Sequence, residues 1–282
     1  MDDAVSMSGL FIKKGPVVQI KDGAGRTDVL SDNDPRVVYQ GPLVVLVNSL
    51  SASASEILAA ALQDYGRAVI VGGPSTFGKG TVQIVADLDQ YLPRQLAGVK
   101  PSGSLRLTIK KFYRVSGGST QWKGVTADIS LPDLYSYLGI QEKTMDYSLP
   151  WDTTSPVSYK RWTSEKYNLD LVKKNSASRV KASKAFKLIV EDIARLRKQK
   201  EDSKESLRFS SFLAKQKFLK EEADQLQNLP VDEPSYIRIV RPKVDKENPT
   251  NPNYQKNKEW LKQISKDAYV DEAWHILADM AR

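Results

Sequence analysis

The chain of 282 residues contains no cysteine and a single histidine, His275. Without cysteine there is no disulfide, no thiol nucleophile and no cysteine-ligated zinc. One histidine cannot build a histidine metal cluster, and a Ser-His-Asp triad would depend on His275 alone. Because His275 lies between Trp274 and Ile276 in a helical pattern, we interpret it as a helix residue outside any catalytic site. The sequence therefore predicts neither a metal nor a cofactor.

Long apolar runs are also missing. No run approaches the roughly 20 residues that a membrane-spanning helix needs. The first four residues, MDDA, are acidic and lack the basic and apolar regions of a secretory signal. We therefore expect either a protein that stays inside the cell or a chain whose front end is missing.

Acidic residues are fewer than basic ones, 34 against 42, and the difference lies mainly in the second part of the chain. Residues 1–140 hold 14 basic and 12 acidic residues, which leaves 28 and 22 for the remainder. The densest basic region, at 173–220, carries apolar residues at helical spacing, which is typical of the solvated face of packed helices. An anionic partner is the alternative. Few aromatic residues lie among the basic ones, so we expect no nucleic acid partner.

The organisation of the sequence changes near residue 145. Before it, apolar segments between turn residues predict strands at 16–20, 42–47, 68–71, 81–86 and 105–115, and one helix at 53–65 that stops at Gly66. After it, we expect a linker or irregular wrap around Pro150 and Pro156, helices over about 164–228, an irregular crossing at 230–252 and a final helix at about 254–280. The sequence therefore predicts an α/β domain at 1–145 and an all-α domain at 146–282.

A serine-rich segment, SASASE at 51–56, joins an apolar run to the predicted helix. A serine at a strand-to-helix turn stands beside the N–H groups of the new helix, where a nucleophile and an oxyanion site can share one location. Ser53 and Glu56 also match the capping box S-x-x-E, which is common and involves no catalysis. The two interpretations are compatible, and the segment alone favours the cap.

Lys79 stands between two glycines, 26 residues after Ser53. A lysine accepts a proton from serine only when burial lowers its pKa. Phe77 supplies apolar cover, and no carboxylate occurs from residue 65 to residue 86 to hold the charge by a local ion pair. A solvated loop lysine remains the alternative.

The same lysine completes a second pattern, because residues 73–79 (GPSTFGK) match the phosphate-binding loop G-x-x-x-x-G-K. The next residue is Gly80 in place of the Ser or Thr that ligates magnesium. Four of the five residues 81–85 are β-branched and predict a strand, whereas a phosphate loop must open a helix. We therefore set nucleotide binding aside.

Three motifs in this order resemble the core of the C-terminal processing peptidases: SASASEI at 51–57, FGKGTVQ at 77–83, and GGSTQ at 117–121 with KGVT at 123–126. Further segments resemble the tail-specific protease subgroup of Gram-negative bacteria: AALQDYGR at 60–67, KKFYRV at 110–115 and LPWD at 149–152. The resemblance covers nearly the whole chain. It implies a crotonase-like mixed β/α protease core, present in part, followed by an all-α domain.

The resemblance also implies roles for four residues. Ser53 resembles the nucleophile, Lys79 the general base, and Gln83 the residue that orients the lysine, while the Ala54 N–H would be one oxyanion donor. The activity implied is that of a periplasmic serine endopeptidase acting on polypeptides with apolar C-termini. An adaptor protein and peripheral membrane association stay open. The alternative function is a non-catalytic interaction protein whose basic helices bind an adaptor or an anionic surface.

Two features of the family have no counterpart in this chain: the glycine-rich turn that gives the second oxyanion donor, and the PDZ module. We therefore expect the C-terminal part of a longer protease, with little or no proteolysis by the chain alone. Residues 4–12 would be the remnant of a helix and the start of the next strand. The loop at 72–78 is one residue longer than the usual form of the family.

Overall fold

The computed structural model describes residues 1–163, 167–204, 206–227 and 253–282. Its strands are β1 Gly15–Asp22, β2 Thr27–Asp32, β3 Val44–Val47, β4 Val69–Gly72, β5 Thr81–Asp87, β6 Ser104–Tyr113 and β7 Ile129–Ser130. Its helices are α1 Asp2–Gly9, α2 Ala54–Asp64, α3 Leu169–Ala182, α4 Lys184–Glu201, α5 Phe209–Gln227, α6 Asn253–Ile264 and α7 Ala268–Met280. The mixed α/β part followed by helices confirms the predicted fold class. None of the helices in the described residues combines the length and the apolarity that crossing a bilayer requires.

The strands form two sheets. Four antiparallel strands lie in the order β2-β1-β6-β5, and three parallel strands lie in the order β3-β4-β7. The strands predicted from the sequence are all present, whereas β2 and β7 were not predicted. β7 has only two residues, and β2 is largely polar (TDVLSD), so neither carries the apolar pattern by which a strand is recognised.

The parallel sheet separates two hydrophobic cores. Ile70 of β4 packs in one core with residues of α2, β1 and β6, while its neighbours Val69 and Val71 pack in the other with residues of α3, α4 and α7. Successive side chains of a strand point to opposite faces, so a strand covered on both faces is apolar throughout. The C-terminal helices therefore cover the second face of the sheet that leads into the serine-rich segment.

Helix α2 ends as its sequence predicts. Tyr65 caps its C-terminus, and Gly66 follows with φ of +66°. A left-handed residue after the last turn ends a helix, and glycine adopts that conformation without the steric cost of a Cβ atom.

The segment after residue 148 is an ordered strap along the antiparallel sheet, which agrees with the predicted wrap. Asp152 accepts hydrogen bonds from Lys111 Nζ at 2.5 Å and from Tyr113 Oη at 3.0 Å, both on β6. Val157 N donates to Val115 O at 3.0 Å, and Trp162 N donates to Tyr65 O at 2.8 Å. The strap therefore runs from β6 to the C-terminal end of α2.

Arg179 of α3 holds α7 through two acidic side chains. It lies 2.8 Å from Glu272 Oε1 and 2.7 Å from Asp279 Oδ2, and Glu272 is buried. His275 lies on the same helix, with its Nε2 3.8 Å from Asp271 Oδ2, so its position on a helix agrees with the prediction.

Two predictions about element ends are wrong. The region predicted as one final helix forms two helices, α6 and α7. Asp267 caps α7 by accepting hydrogen bonds from Tyr269 N and Val270 N. A side chain that bonds to the backbone in this way competes with a continuous helix. No strand starts within residues 4–12: Phe11 N and Ile12 N both donate to Ser8 O, which extends the end of α1, and β1 begins only at Gly15. The predicted crossing at 230–252 lies outside the described residues.

Candidate active site

Ser53 lies at the sharp turn between β3 and α2. Its backbone has φ of +56° and ψ of −112°, a combination that is sparsely populated for any residue other than glycine. Strained strand-to-helix turns of this kind present the nucleophilic serine of α/β-hydrolases, and strained backbones cluster at functional sites. The side chain is half-buried. The local geometry of Ser53 therefore suits a nucleophilic serine at the tip of a turn as well as a helix cap.

Ala54 is the first residue of α2 and is exposed. Among the described residues we find no acceptor for its N–H group. A helix N-terminus carries partial positive charge and free N–H donors. The Ala54 N–H can therefore donate to an oxyanion beside Ser53.

Glu56 links the serine turn to the lysine loop and is completely buried. Its Oε2 accepts hydrogen bonds from Ser53 N and Lys79 N, each at 2.8 Å. Its Oε1 accepts hydrogen bonds from Thr76 Oγ1 at 2.5 Å and Gly78 N at 2.7 Å. Burial raises the pKa of Glu56, and the four hydrogen bonds oppose that shift.

This carboxylate fixes the distance between the main chains of the two predicted catalytic residues. Because Ser53 N and Lys79 N both lie 2.8 Å from Glu56 Oε2, they are no farther apart than twice that length. Phe77 N adds a direct link by donating to Ser51 O at 2.9 Å. The structure therefore brings the Ser53 turn and the Lys79 loop together.

The Lys79 side chain is half-buried, and its Nζ donates to Thr81 O at 3.0 Å. The hydrogen bond is accepted by a neutral carbonyl rather than by a carboxylate. The hydrogen bond therefore holds the Lys79 amine beside the start of β5.

The GGSTQ and KGVT motifs hold the other side of the lysine loop. Gly80 N donates to Gln121 Oε1 at 2.7 Å, Trp122 N donates to Gly78 O at 2.8 Å, and Val125 N donates to Thr76 Oγ1 at 2.8 Å. The loop is therefore bonded to α2 through Glu56 on one side and to residues 121–125 on the other.

Gln83 lies on β5 and is exposed. Its Nε2 donates to Thr108 Oγ1 at 3.3 Å, so its described hydrogen bond leads to the neighbouring strand rather than to Lys79. Gln83 and Lys79 nevertheless line the same cavity of about 390 Å³. Ser53 is not among the described residues that line this cavity.

The structure agrees with the rejection of a phosphate-binding loop. β5 begins at Thr81, two residues after Lys79, so no helix N-terminus follows the lysine. Within the described residues there is also no cluster of three or more His, Cys, Asp or Glu side chains suited to a metal ion.

Glu56 and Gln121 were not predicted as site residues. The sequence signal for Glu56 was the capping box, which explains only the hydrogen bond from Ser53 N. The three bonds to residues 76–79 join segments at least 20 residues apart, and a local pattern cannot indicate them. The signal for Gln121 was its place in the GGSTQ motif.

Two protein families match successive parts of the chain. Residues 1–131 match the model of peptidase family S41, and residues 135–282 match the model of the C-terminal domain of tail specific protease. The second match covers more than half of the chain, and it shows that the chain belongs to the tail-specific proteases.

Individual relatives match only in part. The tail-specific protease of Haemophilus influenzae is 48% identical over 165 residues, which are 56% of this chain and 22% of the relative. The carboxy-terminal-processing protease of Bartonella bacilliformis is 39% identical over 141 residues, 48% of this chain and 30% of the relative. A solved photosystem II D1 C-terminal processing protease is 34% identical, with a TM-score of 0.39, over 46% of this chain and 31% of that structure. The chain thus spans less than a third of each of these proteins.

Proposed function

We propose that this chain carries the nucleophile and the general base of a serine endopeptidase. Ser53 is the nucleophile, Lys79 the base, Gln83 the residue that orients the lysine, and the Ala54 N–H one oxyanion donor. The observation that carries the proposal is the shared acceptor Glu56 Oε2, which binds the N–H groups of both Ser53 and Lys79. The strained Ser53 backbone supports it further, as does the Ala54 N–H, for which the described part of the chain offers no acceptor.

In the proposed reaction, neutral Lys79 Nζ takes the proton of Ser53 Oγ, and the resulting alkoxide attacks the carbonyl carbon of a peptide bond. The Ala54 N–H donates to the oxyanion of the tetrahedral intermediate, where one such donor contributes about 3–4 kcal/mol. The C–N bond breaks, the lysine ammonium protonates the leaving amine, and water hydrolyses the acyl-enzyme.

The substrates we propose are unfolded or tagged polypeptides that are recognised by apolar C-termini. The proposed location is the periplasm, and an adaptor protein is a candidate partner. The division into a protease core at 1–145 and a helical domain at 146–282 also remains a proposal. The change from strands to helices supports it, as do the two family matches, which meet between residues 131 and 135. Because the chain spans only part of its relatives, we expect little proteolysis from residues 1–282 alone.

The test measures cleavage of a fluorogenic peptide with an apolar C-terminus by the native gene product. We expect Ser53→Ala and Lys79→Ala to abolish turnover while the circular dichroism spectrum stays unchanged. Loss of the Ser53 cap should lower the thermal unfolding midpoint by only a few degrees. Lys79→Arg should be equally inactive, because an arginine does not lose its proton at neutral pH. Ser55→Ala is the matched control, since Ser55 is exposed in the first turn of α2, and it should retain activity. Full activity of a Ser53 or Lys79 variant would refute the dyad.

A further inference from the structure

The cavity beside Lys79 has a wall with no part in the proposed chemistry. Its floor is formed by Lys79 together with the start of β5 and the facing part of β6, including Gln83 and Thr108, and its wall is the segment 142–149. Its volume of about 390 Å³ lies within the range of roughly 300–1,000 Å³ that is typical of ligand sites in proteins.

This wall is tied to the lysine loop. Glu142 N donates to Phe77 O at 3.1 Å. Gln121 Nε2 donates to Glu142 Oε1 at 3.1 Å and to Leu149 O at 2.8 Å. The Oε1 of the same Gln121 accepts from Gly80 N. One buried glutamine amide therefore fixes both the lysine loop and the two ends of the wall, so the cavity has a defined shape next to Lys79.

The wall exposes large apolar side chains. Met145 is 53% exposed, Leu149 is also exposed, and Tyr147 is fully exposed. Ser148 N donates to Met145 O, which closes a turn, and Tyr147 has φ of +60° within it. A tyrosine in the left-handed region is strained, and such strain is frequent in ligand-binding segments. Exposed apolar groups on a concave surface are typical of a binding site for an apolar group.

The cavity is also lined by charged side chains. Apart from Lys79, its charged residues are Arg106, Glu142 and Asp146, so their formal charges add to −1. With Lys79 neutral, as the proposed mechanism requires, an acidic side chain would be repelled.

We propose that this cavity receives one apolar side chain of the polypeptide substrate next to the scissile bond, and that Met145 and Leu149 determine the preference for it. The proposal rests on the proposed function, because it places the substrate by means of Lys79. Proteins that bind a peptide in an extended conformation obtain their specificity from pockets that each receive one side chain of the peptide.

The first experiment locates the side chain. A fluorescent peptide that carries photo-leucine at one position is bound to the 282-residue chain with Ser53→Ala and irradiated, and the adducts are mapped by mass spectrometry. We expect adducts on residues 142–149 and on Phe77. Adducts confined to other segments, or no saturable binding up to roughly 1 mM peptide, would overturn the proposal.

The second experiment measures the preference by fluorescence anisotropy, with leucine, alanine or aspartate at the same peptide position. The leucine peptide should bind about 10- to 100-fold more tightly than the alanine peptide, and the aspartate peptide should bind most weakly. Met145→Trp, which fills the cavity, should remove most of the advantage of leucine and change alanine binding less than about twofold. Met7→Trp is the matched control, because Met7 on α1 is 49% exposed, and it should change neither. Equal effects of Met145→Trp on all three peptides would contradict a side-chain pocket.

The outcomes separate this inference from the proposed function. If the leucine peptide labels residues 142–149 and the native gene product does not cleave it, the pocket stands and the protease assignment fails. If the native gene product cleaves with the same preference when Met145→Trp is present, and residues 142–149 are not labelled, the pocket fails and the protease assignment stands.

Discussion

Glu56 is the residue whose removal should most directly separate the serine turn from the lysine loop. Its carboxylate accepts four hydrogen bonds and is completely inaccessible to solvent. Hydrogen bonds to a charged group each contribute about 1.5–3 kcal/mol and are not additive. Glu56→Ala leaves three N–H groups and a hydroxyl without their acceptor, and we expect it to lower the free energy of unfolding by about 3–5 kcal/mol.

Glu56→Gln tests the same contacts with the shape conserved. The amide oxygen can accept two of the four hydrogen bonds, whereas its NH₂ group faces two other donors. We therefore expect a smaller loss of about 1–3 kcal/mol. Urea unfolding followed by circular dichroism measures both variants. Hydrogen exchange should also accelerate in peptides that cover residues 51–57 and 77–83.

The control for this pair is Glu191→Gln, because Glu191 is exposed on α4. A surface change of this type should stay within about 0.5 kcal/mol. If Glu56→Gln and Glu56→Ala unfold at the same urea concentration as the parent chain, with unchanged exchange at residues 77–83, the carboxylate does not hold the loop.

Three further predictions concern the surroundings of the site. Gly78 has φ of +92°, and a Cβ there would lie 3.0 Å from a backbone carbonyl carbon. Gly78→Ala should therefore lower the free energy of unfolding by about 1–3 kcal/mol. Gly118→Ala is the control and should not lower it, because the space around its Cβ is open. Arg179→Met leaves two acidic side chains of α7 without their cation and should cost about 3–5 kcal/mol in urea unfolding, unlike Arg197→Met on an exposed surface. Burial, aided by the hydrogen bond to a carboxylate, raises the pKa of Tyr113 from 10.0 to about 12. Between these pH values the folded chain keeps the phenol proton and the unfolded chain loses it, so the free energy of unfolding should fall as the pH rises. Tyr113→Phe removes this proton and should make the fall less steep.

Each of these predictions has an outcome that contradicts it. Equal thermal midpoints for Gly78→Ala and Gly118→Ala would show that the loop accommodates the methyl group. Equal urea midpoints for the two arginine variants would show that the ion pairs with α7 add nothing. An identical decline in stability with and without the Tyr113 hydroxyl, measured by urea unfolding at several alkaline pH values, would show that this phenol is not responsible.

Local patterns predicted most of the elements around the site. The apolar run at 68–71 indicated β4, and Gly66 indicated the end of α2, because a buried strand and a left-handed cap each leave a mark within a few residues. The break before α7 was missed, and the expected start of a strand within residues 4–12 was wrong. Both depend on hydrogen bonds of single residues, Asp267 and Ser8, that an apolar pattern does not reveal.

The sequence by itself determined which residue types are available for chemistry. Its lack of cysteine excluded thiol catalysis and cysteine-ligated zinc, its single histidine argued against a histidine metal cluster, and the order of three motifs indicated the family. Tertiary structure alone decided that Glu56 binds both Ser53 and Lys79, that Gln83 bonds to Thr108, and that residues 142–149 form a wall beside the lysine. These contacts join segments far apart in the chain, and only the packing of α2, the lysine loop and β6 into one fold brings them within hydrogen-bonding distance.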